Sequence, residues 1–177
     1  MPNISKYVRE AVRTQLADAT VGYNARLESV AESYGIEDVK DKRINFAKDS
    51  TNFLFGRISP DALEQSSVLT YPLMTIASVR CQNTNRVKFA TFSGGVQVVI
   101  EVHHSWPDSA VIGDFDSEVD ATEDVVIACL NAQNAQAWPP NLGWNGQVAA
   151  TRSGIRMGGY GWLMTIQFLC TFELNVL

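Results

Sequence analysis

From Met164 to Val176 the chain alternates without a break. Met164, Ile166, Phe168, Cys170, Phe172, Leu174 and Val176 fall on one side, and Thr165, Gln167, Leu169, Thr171, Glu173 and Asn175 on the other. A period of two belongs to a β-strand that lays one face on a core. Strands in globular domains average about 5–6 residues. This one runs to 13 residues, which predicts a sheet that reaches beyond its own core. A second segment carries the same signal: Val96, Val98, Ile100 and Val102 alternate with Gln97, Val99, Glu101 and His103. The apolar set predicts a core face, and the other set is expected to meet solvent or a partner.

Helical periodicity frames these strands. Val8, Val12 and Leu16 recur every four residues, widened by Ala11 and Ala19, and Tyr23, Leu27, Val30, Ala31 and Tyr34 continue the stripe past Gly22. The span Ser5–Tyr34 is therefore one kinked amphipathic helix or two in succession, with Ser5 or Asn3 as a cap and Gly35 as a stop. A second helix is expected over Ser117–Gln136, where Val119, Thr122, Val126, Leu130 and Gln133 trace one stripe and Ser117 with Asp120 resembles a capping box. Short strands are expected at Asn52–Arg57 and Tyr71–Val79, with one helical turn at Pro60–Gln65. The charged stretch 36–50 and the Trp-, Pro- and Gly-rich stretch 137–159 read as loops. The sum is a single α+β domain over 1–177. Its mainly antiparallel sheet is packed by an N-terminal helix and a second helix near 117–136, with loop insertions near 36–50 and 137–159.

Reactive chemistry is sparse. Cys81, Cys129 and Cys170 are far apart and odd in number, which suits reduced thiols of a cytosolic product. His103 and His104 are neighbours in a strand, so they point to opposite faces and do not share one metal. Asp114, Asp116, Glu118 and Asp120 alternate like a calcium loop, but Val119 and Val125 occupy the required Gly and Glu positions. Their simpler role is to place acids at a helix N-terminus. The glycines Gly154, Gly158, Gly159 and Gly161 precede a strand instead of a helix, so they form no phosphate cradle and suit a flexible loop or a close backbone approach. No metal, cofactor or catalytic residue is expected. The net charge of −5 argues against tight DNA or anionic-membrane binding. No run of about 18 apolar residues and no leader pattern is present in this sequence. The aromatics in and beside loops are the candidate interface anchors: Trp106, Trp138, Trp144, Tyr160 and Trp162, together with Phe89 and Phe92.

One further pattern comes from the whole succession. A leading amphipathic helix is followed by Phe53-Leu54-Phe55-Gly56-Arg57 and Tyr71-Pro72-Leu73-Met74-Thr75-Ile76. Gly95-Val96-Gln97-Val98-Val99-Ile100-Glu101-Val102-His103, a helix and a closing strand from Thr165 to Leu174 complete it. This order resembles the tail-terminator proteins of long-tailed bacteriophages, over residues 4–34 and 51–177. The extra length relative to smaller members falls in 36–50 and 137–159. The resemblance implies a virion protein, made in the host cytoplasm, whose subunits form a ring, usually a hexamer, at the head-proximal end of the tail. It implies contacts with the tail tube protein and the head–tail connector or stopper, DNA passing through the lumen, and neither catalysis nor cofactor. Three other readings stand beside it. One is a different neck or head–tail joining protein. The second is a ligand- or peptide-binding module using the loop 137–162. The third is a small hydrolase using His103 or His104 with Asp108 or Asp114.

Overall fold

A computed structural model describes residues 3–84, 92–110, 112–132, 138–158 and 161–176, without the side chains of 112–114 and 176. In chain order these form α1 (Ile4–Leu16), α2 (Tyr23–Val30), a 3-10 turn (Val39–Lys42), β1 (Phe53–Phe55), α3 (Pro60–Gln65), β2 (Leu73–Asn83), β3 (Phe92–Trp106), α4 (Ile112–Leu130), β4 (Leu142–Arg152), β5 (Arg156–Gly158) and β6 (Gly161–Val176). The fold is α+β. Its strands lie in the order β1-β2-β3-β6-β4, with β5 paired to β6. Only β1 runs parallel to its neighbour; every other pairing is antiparallel.

The alternating strand sits in the middle of the sheet. Residues 162–176 of β6 pair with all of β3, Trp162 opposite Trp106 and Val176 opposite Phe92. One face of this pair is apolar throughout. Val96, Val98, Ile100, Val102, Ile166, Phe168, Cys170, Phe172 and Leu174 are all buried beneath the helices. From α1 come Val8, Val12 and Leu16, from α2 Tyr23 and Leu27, and from α4 Phe115, Val119, Val125, Val126 and Leu130. Each such side chain contributes roughly 1.5–3 kcal/mol on burial, which is what holds sheet and helices together. Within the helix layer Gln15 Nε2 of α1 donates to the carbonyl of Cys129 in α4 at 2.8 Å.

The N-terminal pattern is two helices. Asn3 caps the first through Lys6 N–H. After Leu16 the Asp18 carboxylate accepts from the N–H groups of Thr20 and Val21, closing a turn. Gly22 is required there by contact: a Cβ at this position would lie 2.3 Å from the Asp18 carbonyl oxygen. Gly35, at φ +67, ends the turn after α2 as its sequence position suggested.

The stretch 36–50 is irregular apart from the 3-10 turn, and it is anchored: Ile44 and Phe46 are buried in the core, and Asn24 clamps Ile44 through its N–H and C=O. Three expectations are corrected. The second long helix starts at Ile112 and ends at Leu130, so Ser117 and Asp120 lie inside it and form no capping box. Of that stripe, Gln133 lies outside the described residues. The stretch 137–159 contains two strands. A break in register between Trp144 and Val148, with Gly146 at φ +76, masks the alternation of β4. Finally, Val99, Glu101 and His103 face away from the helices, as their parity requires, yet they are buried at 3%, 5% and 3% exposure. The second face of the sheet is therefore partly covered, not solvated.

Candidate functional site

The two histidines come first because they carry the only side chains that ordinarily titrate near neutrality. His104 lies under the helices, its ring stacked on Trp106 (centroids 5.4 Å apart), which in turn stacks on Phe115 (4.2 Å). Trp106 Nε1 donates to Glu118 at 3.0 Å, and Lys42 Nζ reaches the same carboxylate at 2.8 Å. His104 Nδ1 stands 3.9 Å from Glu118, and its Nε2 has no hydrogen-bond partner. Burial, aided by Lys42, takes its pKa down to about 3. His103 lies on the other face. Its Nδ1 is 2.8 Å from Thr165 Oγ1, and its Nε2 stands 3.9 Å from Glu101, which accepts from Gln167 Nε2 at 2.6 Å. Burial, with a smaller contribution from Arg156, lowers its pKa to about 4.

Both imidazoles are therefore neutral at neutral pH and 3% exposed. Thr165, His103 and Glu101 have the chemical types of a nucleophile, base and acid relay, but an imidazole this enclosed offers no approach to a substrate. The pairing with Asp108 is also corrected. Among the described residues the carboxylates within 4 Å of the histidines are Glu101 and Glu118; Asp108 is exposed, and the side chain of Asp114 lies outside the described residues. Burial likewise pushes the Cys129 and Cys170 thiols up to about 12, so neither is a ready thiolate. Among the described residues no group of three or more His, Cys, Asp or Glu is placed to hold a metal ion. An open cavity of about 530 Å³ lies between the 3-10 turn and α4, lined among others by Tyr34, Glu37, Asp38, Asp41, Lys42 and Glu118. Glu37, Asp38, Asp41 and Glu118 outweigh Lys42 along its lining, so the wall is acidic.

The aromatic candidates separate into three groups. Trp106, at 5% exposure, and Phe92, at 8%, are spent inside the protomer. Their expected role as interface anchors is corrected by that burial. Trp138 and Trp144 are half-buried and packed on Phe172, with centroids 5.1 and 4.9 Å away, and Trp144 Nε1 donates to Asn131. Trp162 is half-buried at the other end of β6. Phe89 and Tyr160 lie outside the described residues. Trp144 stands opposite Phe172, so it and Trp162 are separated by roughly 30 Å along the strand. Trp144 and Trp162 therefore do not line one pocket, whereas Trp138 and Trp144 lie together with ring centroids 6.4 Å apart.

What remains unspent is the sheet's own border. β1 pairs with β2 only at Met74–Ile76, which leaves Ala77–Gln82 without a strand on its outer side among the described residues. β4 is the opposite edge and pairs only with β6. Unpaired N–H and C=O groups along such edges are templates for another strand.

The chain matches no family model and no curated protein sequence. The reading therefore rests on geometry. Among the described residues no helix is long and apolar enough to cross a membrane. The two histidines, Cys129 and Cys170 are enclosed, whereas Cys81, the main-chain edges and an acidic concavity are open and three tryptophans are half-buried. Sequence reasoning missed the edges because it took 137–159 for a loop. The signal was present in Leu142, Trp144, Val148 and Ala150, which all turn to the core, with two residues too many in the middle.

Proposed function

We propose that this protein is a structural component of a tailed-phage particle: a protomer of a ring, a hexamer by the resemblance, at the head-proximal end of the tail. There it ends polymerisation of the tail tube and presents its other face to the head connector. The observation that carries this reading is the sheet with an open edge on each side, in a chain whose histidines and two of whose thiols are enclosed. Two different edges on one protomer allow head-to-tail contacts, and such contacts generate closed rings when the rotation between neighbours closes. A ring whose upper face differs from its tube-binding face stops growth, because the next tube subunit finds no matching surface. The net charge of −5 keeps phosphate from adhering, so DNA in the lumen stays mobile.

Electron microscopy and mass photometry of the purified protein, alone and mixed with isolated tail tubes, test this. The expected result is a ring, with tubes capped at one end and no longer elongating. A chain that remains monomeric in both preparations and leaves tube growth unchanged rejects it. Binding to the connector without any effect on tube growth would instead identify another head–tail joining protein.

A further inference from the structure

We propose that a second copy of this chain docks edge to edge: the free stretch of β2, flanked by basic residues of α1, receives the β4 edge of the next copy, flanked by the carboxylates of α4. This assignment rests on the ring reading and names the surfaces that make the ring.

Strand direction permits it. β2, β3, β6 and β4 alternate in direction across the sheet. Placing β4 of one copy beside β2 of the next, in the same sense, therefore creates an antiparallel pair like those already inside the sheet. The edges are only partly protected: each carries one register break, between Ser78 and Arg80 in β2 and between Trp144 and Val148 in β4. Charges, prolines and bulges normally blunt an exposed edge. Val148-Ala149-Ala150-Thr151 has no charge and no proline, and its side chains are small enough for a neighbouring backbone to approach. On the other side only Arg80 is charged between Ala77 and Gln82.

Charge decides which edge meets which. α1 carries Lys6, Arg9 and Arg13 against Glu10. It sits on the β1–β2 side: Ser78 Oγ donates to the Ser5 carbonyl, and the Arg9 guanidinium lies over the Phe55 ring at 5.5 Å. α4 holds Asp114, Asp116, Glu118, Asp120, Glu123 and Asp124 and no Lys or Arg. It lies on the β4 side, where Arg152 bridges Asp120 and Glu123, both at 2.7 Å. The helix layer is thus positive at one border and negative at the other. Head-to-tail docking brings unlike charges together, whereas a two-fold contact between β4 edges would oppose two acidic helices. Within one protomer Met74 stands level with Arg152 and Ser78 with Val148, so the free part of β2 begins where the regular part of β4 ends. Joined copies are staggered along the strands, and stagger combined with tilt is how a sheet closes on itself.

A charge-swap experiment tests the assignment. One variant carries Lys6→Glu and Arg80→Glu, the other Asp116→Lys and Asp124→Lys. Circular dichroism and melting confirm that each is folded. Alone, each should need at least about tenfold more protein to associate than the wild type. Mixed in equal amounts, they should assemble again, because each supplies the charge the other lacks. Amide exchange over 77–82 and 148–152 should slow on association of the wild type. Variants that assemble like the wild type, a mixture that shows no rescue, or edge amides that exchange equally fast in ring and monomer each overturn the edge assignment while leaving the ring reading intact. A wild type that is monomeric both free and beside tubes overturns both.

Discussion

His103 and His104 show how a single residue sets the acid limit of this fold. Each is held neutral by burial, at pKa values of about 4 and about 3 against an ordinary value near 6.5. Between those values and about 6.5 the unfolded chain binds protons that the folded chain refuses. Acid therefore favours unfolding: stability is full above pH 6.5, falls as the pH drops through this window, and levels off near pH 3. The loss is roughly 1.4 kcal/mol per histidine for each pH unit. Urea unfolding should show a clearly lower midpoint at pH 5 than at pH 7, and a His103→Gln/His104→Gln variant should show a much flatter profile. Equal wild-type midpoints at the two pH values would mean that the imidazoles are solvated. Gly161 is the second residue with a large effect. Its φ is +140, and a Cβ there would meet the Trp106 carbonyl oxygen at 2.1 Å. Gly161→Ala combines strain with a backbone clash at the turn into β6, and should cost about 3 kcal/mol or more by the same unfolding measurement.

At the scale of elements, legibility followed periodicity. β3 and β6 were readable because one face of each is continuously apolar and lies under helices, so parity alone assigned Val96 through Val102 and Ile166 through Leu174. α1, β1 and α3 were readable from their stripes and punctuation. β4 was not, because two extra residues around Gly146 interrupt its apolar set between Trp144 and Val148, although the parity is the same on either side. The burial of Glu101 and His103 was hidden for a different reason. Strand parity says which way a side chain points, not whether something covers it; here Thr75 and Gln167 bond Glu101 and Thr165 bonds His103 Nδ1, while His103 Nε2 has no partner. The same limit separated the aromatics: loop position suggested anchors, but Trp106 was claimed by Phe115 and Glu118. Phe172 tests how β4 is held. It is fully buried and supports both Trp138 and Trp144. Phe172→Ala should cost about 3–5 kcal/mol and should shift tryptophan emission to the red as the two indoles become wet. Arg152→Ala removes only part-exposed ion pairs to Asp120 and Glu123, and should cost about 1 kcal/mol or less. A larger loss for Arg152→Ala than for Phe172→Ala would mean that charge, not packing, fastens β4.

At the scale of the whole molecule, charge is distributed in a way the total of −5 conceals. The fold places the carboxylates of α4 at one border of the sheet and the cations of α1 at the other, and most of these groups reach water. Their attraction across a docked pair is therefore a screened one. Raising salt from about 0.1 M to about 1 M shortens the Debye length from about 10 Å to about 3 Å. If unlike borders drive association, the protein concentration needed for it should rise several-fold over that range, and the rate of association should fall more than the rate of dissociation changes. Burial of apolar surface responds in the opposite way, since salts excluded from the protein surface strengthen it. Sedimentation velocity across a salt series thus separates the two driving forces. Association that holds steady or tightens in high salt would place the contact on exposed apolar side chains such as Leu169, and would take it away from the charged borders.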